Sequence, residues 1–156
     1  MVKNAALDKT VCRNRKAAYR FEILEKLECG IVLRGTEVKS LRDTTASIEE
    51  AYAKIEGHEL WLIGCHIAPY KFGHTQSHEP TRRRKLLARA TEINKLGHKV
   101  EQRGLTLIPL ALYFNKRGIA KVSLGLVRGK KLADKRRALQ TREHQREIDR
   151  ATRRKK

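Results

Sequence analysis

Tyr19-Arg20-Phe21-Glu22-Ile23-Leu24-Glu25-Lys26-Leu27-Glu28-Cys29-Gly30-Ile31-Val32-Leu33 is the stretch that decides how this chain folds. Tyr19, Phe21, Ile23, Leu27, Cys29, Ile31 and Leu33 share one parity, and Arg20, Glu22, Lys26, Glu28 and Arg34 share the other. Apolar residues at every second position describe a half-buried strand. Gly30 predicts a bulge or sharp bend partway, the device that lets a strand turn a corner.

Working outward, Gly35–Arg42 reads as a short helix capped by Thr36, with Val38 and Leu41 facing inward. Residues 46–56 and 59–68 read as two strands around a turn at Glu56-Gly57-His58-Glu59. A loop follows from Pro69 to Pro80. From Pro80 and Thr81 the chain reads as a helix, with Leu86, Ala90, Ile93 and Val100 on one stripe that Leu87 and Leu96 widen. Gly104 ends it. Residues 105–114 and 119–127 are two further strands, joined by Asn115–Gly118. Their apolar phase switches across Pro109, from Leu105 and Leu107 to Leu110, Leu112 and Phe114, which predicts a bulge or an edge position.

At the N-terminal side, residues 1–18 form a polar arm, in which Arg13, Arg15 and Lys16 surround Asn14. It is expected to order on a partner. Residues 129–156 form a basic tail with 12 Lys and Arg against 4 Asp and Glu. Too polar to build a core, the tail is expected to be disordered when free and helical on a template. Between them, residues 19–128 form the folded body. The expected fold is mainly β with α: an OB-type six-stranded barrel with flanking helices and a basic C-terminal tail.

Charge narrows the function. The 156 residues carry 36 Lys and Arg against 17 Asp and Glu, a net charge of +19 and a pI near 10.4. Self-repulsion of that size is relieved by a polyanion. The charge is clustered: residues 81–103 carry a net +6, the tail +8 and the rest +5. Two clusters predict two contact surfaces. Arg82, Arg83, Arg84 and Lys85 fall at the expected helix N-terminus, where the dipole disfavours cations, so an anion is expected there. The chain has no helix-turn-helix, zinc-finger spacing or heptads to favour duplex DNA. A basic barrel with exposed loops suits RNA better, though composition alone leaves the two open.

Catalysis finds no constellation. Gly125 through Lys131 is one residue short of a P-loop and places Lys131 where magnesium needs Ser or Thr. His74 and His78 are four apart but fall in a loop. Cys12, Cys29 and Cys65 are odd in number and lack a C-x-x-C pair, which indicates reduced thiols in a cytoplasmic protein rather than a disulfide or zinc framework. The N-terminal residues lack the apolar core of a signal peptide, and no run approaches the ~18 apolar residues of a membrane span. The expectation is a protein without catalytic residues, metal or cofactor.

Several short stretches carry a resemblance. Gly35-Thr36-Glu37-Val38-Lys39-Ser40-Leu41-Arg42 resembles the signature of the SmpB family. Asn14–Ala17, Cys29–Ile31, Pro80–Leu87, Leu110–Tyr113, and Gly129–Lys131 followed by Asp134–Arg136, resemble its pattern in the same order. The match runs from about residue 12 to the C-terminus. It implies an OB-fold barrel that binds the tRNA-like domain of tmRNA. It also implies delivery of alanyl-tmRNA, with EF-Tu and GTP, to ribosomes stalled without a stop codon. An indirect part for alanyl-tRNA synthetase is implied as well. The tail is implied to enter the empty mRNA channel and act at the small-subunit decoding centre.

By the resemblance, the tmRNA face includes Asn14, Glu28 and Leu87. Charge and position add Lys16, Lys39, Arg42, Arg82, Arg84, Lys85 and Arg89. Asp134, Lys135 and Arg136 match the ribosome-binding tail motif, preceded by Lys130 and Lys131. Three places depart from the family pattern. Ala133 stands where an aromatic or His is frequent. Ala88-Arg89 replaces Leu-His or Leu-Asn, exchanging a hydrogen bond for a phosphate contact. Ser77 replaces Asn. A generic basic RNA chaperone or ribosome-associated protein on the same barrel is the alternative, and an enzyme acting on RNA a weaker one.

Overall fold

Strand alternation governs most of the observed architecture. The computed structural model describes residues 9–43, 45–72 and 77–154; His74 lies outside them. In chain order the elements are β1 (Lys9–Arg13), α1 (Ala17–Arg20), β2 (Phe21–Ile31), α2 (Gly35–Arg42), β3 (Ala46–Ser47), β4 (Tyr52–Glu56), β5 (Glu59–Ile63), β6 (His66–Ile67), β7 (Arg84–Leu87), α3 (Ala90–Arg103), β8 (Thr106–Phe114), β9 (Ala120–Gly129) and α4 (Leu132–Arg154). The chain is mainly β with flanking helices, as expected. β8, β4, β5, β7, β2 and β9 pair in that order, and β9 pairs back onto β8, so six strands close a ring. β1 adds to β8 from outside the ring. β3 and β6 pair separately.

The inward parity builds the core. Cys29, Leu60, Leu62, Leu86, Leu112, Val122 and Leu124 are almost fully buried in one cluster, with Ile93 and Leu96 of α3 packed against it. Burial of such aliphatic side chains is the main stabilising contribution, about 1.5–3 kcal/mol each. A smaller cluster of Ala17, Ile108 and Val127, with Phe21, Ile23 and Leu110 against it, lies on the other side of β8 and β9. β8 is therefore covered on both sides at its start, which is why it reads as an unbroken apolar run.

The phase switch at Pro109 is a bulge: Pro109 faces Leu124, Ala111 faces Ser123, and Leu110 is the extra residue. A Cβ on Gly125 would sit 3.0 Å from Leu110 Cδ1, so glycine makes room for the bulged side chain. The bend expected at Gly30 lies elsewhere. The register passes straight through Gly30 and breaks between Ile23 and Glu25. Gly30 instead admits a neighbour, since a Cβ there would lie 3.2 Å from Leu87 Cβ.

Three further expectations are corrected. Arg34, not Thr36, is the N-cap of α2, and the Thr36 hydroxyl bonds His78 instead. Residues 84–87 are a strand, not the start of a helix. Leu86 and Leu87 are adjacent and fit either period, but Arg84 and Leu86 turn inward while Leu87 turns out. The helix begins at Ala90, where the Arg89 amide donates to Glu92 Oε2 at 3.0 Å, and ends at Gly104 in the left-handed region (φ 58°). Lys9–Arg13, expected in an unpacked arm, form β1. Val11 and Cys12 are partly buried against the main core, and ladder hydrogen bonds to β8 hold the strand. The tail takes the helix its composition favours, α4, 23 residues long and almost wholly exposed. Among the described residues, no helix is long and apolar enough to cross a membrane, and no group of three or more His, Cys, Asp or Glu could hold a metal ion.

Candidate nucleic-acid interface

Residues directly opposite each other in an antiparallel ladder point to the same side. The register therefore lays two rows on the side of the ladder away from the main core, with Ala111 and Tyr113 buried within them. One runs Arg13, Ala111, Ser123, Glu28 over β1, β8, β9 and β2. The next runs Thr10, Tyr113, Lys121, Gly30, Leu87 and reaches β7. Leu87 is 51% exposed, a large apolar side chain left in solvent because Gly30 beneath it offers nothing to cover it. The Tyr113 hydroxyl donates to Glu28 Oε2 diagonally between the rows. Burial, then the Glu28 carboxylate, push the Tyr113 hydroxyl well above its ordinary pKa, so it stays protonated and remains a donor. A carboxylate accepts at about four lone-pair sites, so Glu28 keeps capacity for a further donor.

Asn14 closes the end of this surface. Its amide donates to the Leu110 carbonyl at 2.9 Å, and Nδ2 reaches the Pro109 carbonyl at 3.4 Å. Oδ1 is buried and makes no hydrogen bond. The bulge thus holds Asn14 beside Arg13. Lys16, the next cation, pairs with Glu49 at 2.9 Å.

The signature segment builds a lock rather than an open patch. Glu37 on α2 is fully buried. Its carboxylate accepts from the Arg34 amide (2.7 Å), from Arg82 Nε and Nη2 (3.1 and 2.8 Å) and from Arg84 Nε (2.9 Å). Burial alone would raise its pKa, but the bonds from Arg82 and the Arg34 amide, with the Arg84 charge, outweigh it and hold the carboxyl at about 2. Thr36 Oγ1 meets His78 Nδ1 at 3.0 Å, and His78 Nε2 meets the Ile67 carbonyl at 3.0 Å. These bonds tie α2 to β6 and to the segment before β7.

The cationic run at 82–85 is consequently not a helix N-terminus, and the anion expected on dipole grounds has no helix behind it. Strand alternation splits the run. Arg84 is fully buried, with Nη1 and Nη2 also bonded to the Cys65 and Pro80 carbonyls, so it cannot serve as an RNA contact. Arg82 is half-buried on Glu37. Lys85 points outward and pairs with Glu59 at 2.6 Å. Lys39 and Arg42 stand exposed on α2, Lys39 with its ammonium 5.4 Å from the Tyr70 ring centroid. Arg89 is exposed at the entry to α3.

The tail leaves from a fixed point. Lys130 donates its amide to Arg20 O (3.1 Å) and its ammonium to Ala18 O (2.7 Å). Lys131, Asp134 and Arg136 are exposed and Lys135 is half-buried. Asp134 lies in the first turn of α4, where it complements the dipole. Tyr113 and Lys121 were invisible as site residues in the sequence, since only the β8–β9 and β2–β9 registers bring them to Glu28 and Leu87.

A closed strand ring with one polar outer face and a protruding basic helix defines a protein that offers surfaces to a polyanion. The chain belongs to the SmpB protein family, which it matches over residues 11–154. It is 52% identical over 147 residues to the SsrA-binding protein of Chelativorans sp., covering 94% of each chain. It is also 52% identical to the SsrA-binding protein of Desulforudis audaxviator, covering 94% of this chain and 95% of the relative. A solved structure described as "tmRNA-SmpB: a journey to the center of the bacterial ribosome" is similar at a TM-score of 0.66 and 51% identity, over 78% of this chain and 85% of that one.

Proposed function

We infer that this chain is a tmRNA-binding ribosome-rescue factor that works by binding and not by catalysis. Family membership along nearly the whole chain supports the reading. The single structural observation that carries it is the pair of rows placing Arg13, Glu28, Tyr113, Lys121 and Leu87 on one face. Arg13 and Lys121 suit phosphates. Glu28 repels phosphate but accepts from a base edge or a 2′-hydroxyl, so it contributes selectivity rather than bulk affinity. Leu87 offers an apolar contact to a splayed base or sugar. Asn14 completes the face, and Lys39, Arg42 and Arg89 are exposed cations outside the rows.

In this reading the body holds the tRNA-like domain of tmRNA in the cytoplasm. EF-Tu with GTP accompanies alanyl-tmRNA to the stalled ribosome. α4 enters the empty mRNA channel, with Asp134, Lys135 and Arg136 at the decoding centre. The test is competition between the tRNA-like domain and a scrambled RNA of equal length. Preference for the tRNA-like fold by about tenfold or more supports the reading; equal affinity would make the chain a generic basic RNA binder.

A further inference from the structure

The outer face does not end at Leu87. Lys85 lies two residues earlier on β7 and points the same way; the register sets it opposite Trp61, and Trp61 opposite Lys54. The Arg83 guanidinium lies 5.1 Å from the Trp61 ring centroid, with Nη2 2.6 Å from Glu56 Oε2. Glu56, Gly57, Glu59, Trp61 and Arg83 line an open cleft of about 480 Å³. Glu56 and Glu59 face each other directly across the β4–β5 ladder. Like charges so placed are destabilising, and each is held by cations: Lys54 and Arg83 on Glu56, Lys85 on Glu59.

We propose that this cleft is a second RNA contact, in which Trp61 stacks one unpaired nucleobase while Arg83 and Lys85 pass to the flanking phosphates. The inference deepens the RNA-binding reading and rests on it. The two faces are continuous through β7, so one folded RNA reaches both. Arg83 and Glu56 are both largely exposed, at 49% and 40%, so their ion pair contributes little and opens easily. Removing the cations leaves two carboxylates beside the ring. They reject phosphate in the cleft itself and accept from base N–H groups. Guanine presents two adjacent donors that match one carboxylate, whereas uracil flanks its single donor with carbonyls. Stacking tolerates any base; the carboxylates select guanine.

Trp61 is the only tryptophan in the chain, so emission excited at the red edge, where the four tyrosines do not absorb, reports this cleft alone. The full chain is titrated with the tRNA-like domain of tmRNA while binding is followed in parallel by filter retention. Quenching that saturates with retention is expected. Trp61→Ala should weaken affinity about tenfold and Trp61→Phe less than about threefold. A G-rich oligonucleotide should quench at lower concentration than oligouridine. RNA retained with unchanged emission, wild-type affinity in Trp61→Ala, or equal quenching by the two oligonucleotides would overturn the inference while leaving the RNA-binding reading intact. Absence of any retention would instead overturn that reading.

Discussion

Glu28 and Glu37 are two carboxylates in a chain of net charge +19, and their surroundings give them opposite tasks. Glu28 is exposed and held by one hydroxyl. Tyr113→Phe keeps the ring and removes the donor, so Glu28 loses its orientation without loss of packing. Affinity for tmRNA should fall by roughly fivefold, the worth of about one net hydrogen bond, with affinity for an unrelated RNA unchanged; equal losses on both would contradict a positioning role. Glu37 is buried, and its removal strands Arg84. Glu37→Gln should destabilise the fold by on the order of 3 kcal/mol at neutral pH. Its folded pKa lies at about 2, below the ordinary 4.5, so the stability it contributes is complete above pH 4.5 and is lost as pH falls toward 2. Denaturant titrations should show wild type and Glu37→Gln converging as pH drops through that window. The resemblance implied a place for Glu28 on the tmRNA face, but the role of Glu37 was not legible in the sequence. Glu37 stood inside a recognisable motif with nothing to indicate burial, and Arg84 looked like any of four consecutive cations until strand parity turned it inward.

At the scale of elements, legibility followed the strength of the period. β2, β8 and β9 were readable because alternation ran for many residues, and the Pro109 bulge because the phase visibly switched. β7 was not, because a strand of four residues carrying two adjacent leucines satisfies both periods. β1 was missed because only Val11 and Cys12 of its five residues pack on the core, side by side and in a bulged register, too short a signal to show a period. α4 is the least supported element. Its described side chains are largely exposed, and helices in water draw most of their stability from packing an apolar face. Amide exchange should therefore be fast along α4 and slow in β8 and β9. Truncation after Lys131, which spares the Lys130 anchor, should leave the body's thermal midpoint within about 2 °C of the full chain, since exposed residues contribute little to cooperative unfolding. Protection in α4 equal to that of the ring, or loss of the body's transition on truncation, would show that the helix is part of the core.

Across the whole molecule, clustering of charge pointed to two contact surfaces, and folding treats the two clusters differently. The tail keeps its cations together on α4, largely exposed. The other cluster dispersed on folding. Its cations divide among a buried lock at Glu37, ion pairs with Glu56 and Glu59, and α3. The proposed RNA face is instead the alignment of β1, β8, β9, β2 and β7, which draws residues from positions as distant as Arg13 and Lys121. Net charge is blind to such an alignment, and only register produces it. The division of labour between body and tail is tested by tmRNA affinity measured side by side for Glu28→Ala and for a variant with Asp134, Lys135 and Arg136 all replaced by Ala. Glu28→Ala should weaken tmRNA binding by about tenfold, and the tail variant should stay within about twofold of wild type while failing to support peptide tagging on stalled ribosomes. A tail variant that loses tmRNA affinity as severely as Glu28→Ala would contradict the account.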